Sequence, residues 1–250
     1  MVDYGKKKYI DNPYTSQVTT TQQTLTGTYS VSTFTTTDDT LTVTDEFVSA
    51  EHIYAFEAKM SNFDLAADRI DEQAWSAKAA LDKFILNNLC EDATGSYTTP
   101  AGGFAAANVA EIFSECIGAV SGYDDVMRGM YMVIENTDVP GIIQAGAASG
   151  FNFADSVLRN GWFSDYMGVA IYVTRTGTFV DDTLGTTTVT NDGHRVFGVN
   201  DCASVLIPGN FEYEELRVSG KTGKEIRTVG HAGFKLWHSK KALTIDITLA

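Results

Sequence analysis

The stretch that most constrains the fold runs from Asp64 to Leu89, DLAADRIDEQAWSAKAALDKFILNNL. Ala67, Ile70, Ala74, Ala77, Leu81 and Phe84 recur every three or four residues and therefore share one helical face. Asp68, Arg69, Asp71, Glu72, Lys78 and Asp82 mostly take the other positions. Ser61 or Asp64 is placed to cap the start, and Asp64 and Asp68 set negative charge at the positive end of the helix dipole. No Gly or Pro interrupts the run. About 26 residues at ~1.5 Å each give a rod of roughly 39 Å, well above the usual three turns. Such a rod can hold two lobes together, with Ile70, Ala74, Ala77, Leu81 and Phe84 as its core face.

Ahead of the rod, residues 1–20 show neither helical nor strict strand periodicity and read as an extended arm. From Thr24 the pattern alternates with period two: Leu25, Tyr29 and Val31 against Thr24, Thr26, Thr28, Ser30 and Ser32. Thr35–Asp39 is a polar turn, after which Leu41 and Val43 alternate with threonines. The expectation is a hairpin with strands of about ten residues, each near 33 Å long. Its apolar face, Leu25, Tyr29, Val31, Phe34, Leu41 and Val43, is thin. A two-stranded hairpin is marginal in water, so this one must rest on its own domain or on a neighbouring subunit. Glu51–Met60 reads as a further strand leading into the rod.

Beyond the rod, Glu91–Gly103 is a polar loop punctuated by Gly95, Pro100, Gly102 and Gly103. A second helix is expected from about Ala105 to Ser121, with Val109, Ile112, Phe113, Cys116, Ile117 and Val120 inward. Gly129–Glu135 suits a buried strand, and Asp138 caps a helix that has Pro140 in its first turn and runs to about Ala148. Gly168–Thr174 reads as a strong strand, and the Thr- and Gly-rich residues 177–194 as a surface loop or loose hairpin. Strands are then expected at His194–Val199, Ala203–Ile207, Glu214–Val218, Ile226–Val229, Gly233–His238 and Leu243–Leu249. This order is α+β and not a doubly wound sheet.

The formal charge of −14 disfavours sequence-reading contacts with nucleic acid, which need clustered Lys and Arg. Lys6, Lys7 and Lys8 are the only basic run, either a solubilising tail or a polyanion contact. Cys90, Cys116 and Cys202 are too few and too scattered for a disulfide frame and read as reduced, mostly buried thiols. There is no run of eighteen apolar residues and no signal-peptide core, so a soluble cytosolic product is expected, with no membrane partner. SGKTGKE at 219–225 lacks the glycine a phosphate loop needs five positions before Gly220, where Glu215 stands, and reads as a hairpin turn. His52, His194, His231 and His238 are dispersed, no zinc spacing or GxSxG elbow occurs, and Asp124-Asp125 and Asp181-Asp182 sit in loop-like sequence. No catalytic residue, metal ligand or cofactor is expected.

Two phrases carry a family resemblance: RGMYMVIENTDVPGIIQ (128–144) followed by VLRNGWFSDYMGVAIYVTRTGTF (157–179). With the closing VSGKTGKEIRTVGHAGFKLWHSKKALTIDIT (218–248), the chain resembles the major capsid proteins of tailed double-stranded DNA phages, the Hong Kong 97-type fold. The resemblance spans essentially the whole chain as a pattern of elements. It implies an N-terminal arm at 1–20, an E-loop hairpin at 21–58, a peripheral domain at 59–104 and 206–250 with its spine helix at 64–89, and an axial domain at 105–205. It also implies an intersubunit role for Leu25, Tyr29, Val31, Phe34, Leu41 and Val43, and makes Lys6–Lys8 the DNA-contact candidates. The implied function is a non-enzymatic shell of hexamers and pentamers enclosing double-stranded DNA without reading it. Its partners would be further copies, a portal, and scaffolding or cement proteins, in the virion and, during assembly, the host cytoplasm.

Two departures shape that expectation. Some relatives crosslink an E-loop Lys to a neighbour's Asn, but no Lys lies between Lys8 and Lys59, so a non-crosslinked shell is expected. Some relatives carry an N-terminal scaffolding region that a protease removes; with the hairpin about twenty residues from Met1 none is expected here, and a separate scaffold, or none, is the expectation. The nearest rival is an encapsulin-type compartment, whose chains usually open with a cargo-docking amphipathic helix that residues 1–20 lack. A tail or decoration protein is a second rival, against which the long helix argues.

Overall fold

The computed structural model describes residues 6–9, 39–60, 65–121, 129–148, 165–179, 193–200, 202–209, 211–217 and 220–248. Strand β1 (Lys6–Tyr9) pairs antiparallel with β2 (Asp39–Thr42), Tyr9 opposite Asp39. The arm therefore contains a strand where none was expected: the lysine run hides it, because β-propensity is low there and partner strands decide. Of the expected hairpin, residues 24–32 lie outside the described residues. Strand β3 (Asp45–Tyr54) follows, and Thr44 adds its N–H to the carbonyl of Ala232, the residue that stands opposite Asp45. Two residues face one, which is a β-bulge at the entry to β3. The expected strand at Glu51–Met60 stops at Tyr54. Helix α1 (Ala55–Met60) takes its second half, as Ala, Glu, Lys and Met favour a helix.

The rod is α2 (Leu65–Asp92), 28 residues, three longer at its end than the periodicity indicated. Strand β4 (Gly95–Thr98) lies inside the segment read as loop; four residues between turn signals are too few to register as periodic. Then come α3 (Val109–Ser121), β5 (Met130–Glu135), α4 (Val139–Ala148), β6 (Asp165–Tyr166) and β7 (Val169–Thr174). Met167 and Gly168 both take positive φ, the backbone that a two-residue hairpin turn between β6 and β7 requires. Strands β8 (His194–Val199), β9 (Ala203–Leu206), β10 (Glu212–Leu216), β11 (Gly223–Leu236) and β12 (Ala242–Asp246) close the chain, with a short 3-10 turn at Ser239–Lys241.

Two strands expected at 226–229 and 233–238 are one, β11. It pairs with β10 and β3 over its first part and with β9 over its last four residues. Glycines at 230 and 233 looked like punctuation but are close-approach sites. A Cβ at Gly230 would overlap the Phe211 ring, and one at Gly233 would overlap the Thr42 carbonyl. The SGKTGKE turn joins β10 to β11 as a hairpin.

The larger sheet runs β4-β12-β8-β5-β7-β6 and is mixed, with β4/β12 and β5/β7 parallel. Alternation sends its two faces to different partners. Met130, Met132, Ile134, Phe197, Leu243 and Ile245 pack with α3 and α4 residues such as Phe113 and Ile142. Val133, Val196 and Ala242 pack on the other face with Leu89, Phe179, Cys202 and Leu236. Strand β12 belongs to this sheet and also lies against the spine, through Thr244. The second half of α2 therefore covers one face of the large sheet, and its first half covers the β3/β11 sheet. The rod joins two sheets.

Candidate assembly surfaces

The spine's grip on the small sheet is partly polar. Gln73 is 3 % exposed, donates to the Ile226 carbonyl at 3.4 Å and accepts from Thr228 Oγ1 at 3.0 Å. Ala74, placed by periodicity on the core face, is exposed instead. The amide wins the inward position because β11 offers it both a donor and an acceptor, and a small methyl gains little from burial. Ala77 is buried, while Ile70, Leu81 and Phe84 are half-buried, and Phe84 meets the Phe47 ring edge-on at 5.5 Å. Arg69 forks onto both Glu51 carboxylate oxygens and also reaches Glu72. The Arg69 hydrogen bonds hold the Glu51 carboxyl below the usual carboxylate range, against a smaller opposing effect of burial. At the far end Thr244 Oγ1 donates to the Cys90 carbonyl at 2.9 Å, fastening α2 to the large sheet.

A buried charge cluster fixes the top of the large sheet. Arg195 donates through Nε to Asp138 Oδ2 (2.5 Å) and through Nη2 to Glu135 Oε2 (3.4 Å), all three side chains being nearly fully buried. Glu135 Oε1 accepts the backbone N–H groups of Gly177 and Phe179, so one carboxylate clips the turn after β7 onto the β5–α4 turn. Arg195 also lies over the Phe179 ring. Between this turn and α2 runs a groove of about 680 Å³ lined by Trp75, Lys83, Val173 and Arg175 among others. Nothing in the cluster has a site for a reacting group: every carboxylate oxygen faces a fixed donor. Burial pushes the thiols of Cys90 and Cys116 up to about 12, which makes them poor nucleophiles. Among the described residues no cluster of His, Cys, Asp and Glu could hold a metal ion, and no helix is long and apolar enough to cross a membrane.

The open surface carries large apolar groups: Phe56 is 73 % exposed, Trp75 71 %, Met60 69 % and Tyr172 59 %. Sequence reasoning passed over all four, though the Trp75 position, opposite the buried stripe of α2, was readable from the helical period. Of the residues expected on the hairpin's intersubunit face, Leu25, Tyr29, Val31 and Phe34 lie outside the described residues. Leu41 is 1 % exposed, already covered within the subunit, which corrects its assignment to a contact with a neighbour; Val43 is half-buried. Lys6, Lys7 and Lys8 stand in β1 opposite Thr42, Leu41 and Thr40.

These elements, a two-stranded arm, a long spine across two sheets and a mixed sheet backed by two helices, define the Hong Kong 97-type capsid fold. Solved structures carry the same arrangement along nearly the whole chain. A structure from Mycobacterium phage Ogopogo aligns with a TM-score of 0.72 at 14 % identity, over 98 % of this chain and 88 % of that one. The capsid of the cyanophage P-SCSP1u aligns at 0.67 and 11 % identity, over 98 % and 84 %. A virus-like particle from Pyrococcus furiosus aligns at 0.54 and 9 % identity, over 84 % and 78 %. No protein-family model and no curated protein matches the sequence. At these identities the likeness is one of fold.

Proposed function

We propose that this chain is the major shell protein of a tailed double-stranded DNA phage or a phage-derived particle. Copies would assemble as hexamers and pentamers into a closed icosahedral shell around DNA. The observation that carries the reading is the alignment of 98 % of the chain with 88 % of the Ogopogo chain, at a TM-score of 0.72. The protein's chemistry agrees with a structural role: the buried carboxylates of Glu135 and Asp138 are satisfied, burial raises the thiols of Cys90, Cys116 and Cys202, and large apolar side chains lie on the open surface. The acidic balance, −14 over the chain, fits a wall that encloses DNA without gripping it, with Lys6–Lys8 as the contact to phosphate. A portal, and separate scaffolding or cement proteins, would complete the particle, which assembles in the host cytoplasm.

An encapsulin-type compartment, a shell of the same fold, is the second reading. Purified particles decide between them. Double-stranded DNA recovered after nuclease treatment of intact shells supports the phage reading, and protein cargo with no nuclease-protected DNA supports the compartment.

A further inference from the structure

Helix α1 is a ridge with nothing packed beneath it. None of its six residues is buried, and Phe56 and Met60, one helical turn apart, stand exposed on the same side. At 3.6 residues per turn, Glu57 and Lys59 fall on opposite flanks of that apolar ridge. The groove between α2 and the turn after β7 is its complement. Trp75, Ala79 and Val173 give it an apolar lining, and Arg175 is the one charged residue on the turn's wall. On the α2 wall Glu72 and Asp82 outnumber Lys83. Among the described residues Glu57, Lys59, Asp82 and Arg175 have no ion-pair partner.

On one subunit the two cannot meet. Arg69 grips Glu51 and Phe84 meets Phe47, so α2 runs back along β3 while α1 continues past the far end of that strand. The strand from Glu51 to Ala55 spans ~13 Å, and the helix from Arg69 to Ala79 spans ~15 Å in the opposite direction. A six-residue helix is ~9 Å long, so even folded straight back α1 stops roughly 19 Å short of the groove. We propose that α1 of one copy seats in the α2–β7 groove of the next copy; the proposal rests on the shell reading above. Phe56 and Met60 lie against Trp75 and Ala79, with Glu57 facing Arg175 and Lys59 facing Asp82. Ridge and groove are different patches of one chain, so the contact is head-to-tail: each copy gives one ridge and receives another. Contacts of that kind close into rings, the form of a hexamer or pentamer.

Charge exchange tests the pairing. Glu57→Lys and Arg175→Glu each set like charges together, and each should lower the yield of ring-sized oligomers at least about five-fold. The double variant restores the pair with its signs reversed and should return the yield to within about two-fold of the unaltered chain. Both positions are exposed, so all three variants are expected to melt like the unaltered chain. In a second readout, Met60→Cys and Ala79→Cys are combined in one chain and oxidised with copper phenanthroline. A head-to-tail contact gives a ladder of disulfide-linked products reaching the pentamer and hexamer, and neither single variant gives one. An unchanged yield from either charge reversal, no rescue by the double variant, or a product that stops at the dimer would overturn the proposal. Closed particles without the ladder would also overturn it and leave the shell reading standing, whereas a ladder without closed particles would sink the shell reading and keep this contact.

Discussion

Arg195 sits between two carboxylates in a site that excludes water, and its removal would leave Glu135 and Asp138 buried without their counter-charge. Arg195→Ala should therefore cost about 3–5 kcal/mol, more than the loss of its packing alone, and urea denaturation of the purified subunit measures it. The pair between Glu51 and Arg69 behaves differently, being half in solvent and screened. Its signature is in pH. The folded carboxyl titrates below its ordinary value, so its stabilisation is present above that value and is lost as pH falls through the depressed one. The gap in melting temperature between the natural chain and Glu51→Gln should be constant from neutrality down to about pH 5 and close in stronger acid. Cys90 and Cys116, with thiols pushed up to about 12, should resist alkylation at pH 8 in the native subunit and label fully in denaturant; mass spectrometry reads both states. Early native labelling at either would contradict their burial.

At the scale of elements, what was legible in the sequence depended on length and on interruption. The spine could be read because its stripe runs unbroken, yet Ala74 and Gln73 exchanged roles, since a helical period cannot see that β11 offers hydrogen bonds to an amide. Strand β11 was split at glycines that are there to let Phe211 and Thr42 approach. Strands β1 and β4 escaped because each has four residues and borrows its conformation from a partner far away in sequence. The hairpin's inward Leu41 was given to a neighbour because alternation reports a face and not what covers it. Helix α4 offers a test of packing against propensity. Gly141→Ala improves intrinsic helix propensity by about 1 kcal/mol. Its new Cβ, however, would overlap the Phe104 carbonyl, a backbone atom with little freedom to yield. A net destabilisation of about 1–3 kcal/mol is expected in denaturant melts, and a gain in stability would show that the 101–105 turn moves freely.

On the scale of the whole molecule, α2 is no longer only a rod between lobes. Its first half covers the β3/β11 sheet, its second half covers one face of the large sheet, and the exposed side between carries Trp75. Among the described residues, β3 ends its sheet with one edge unpaired and Phe56, Trp75 and Met60 lie exposed, surfaces that association with further copies would cover. Self-assembly into a shell is the central claim, and electron microscopy of the purified protein across a range of salt and protein concentrations tests it most directly. Closed icosahedral particles tens of nanometres across, with hexameric and pentameric units resolved in the reconstruction, are the predicted result. A protein that stays monomeric, or forms only open fibres or small rings under all those conditions, would contradict it.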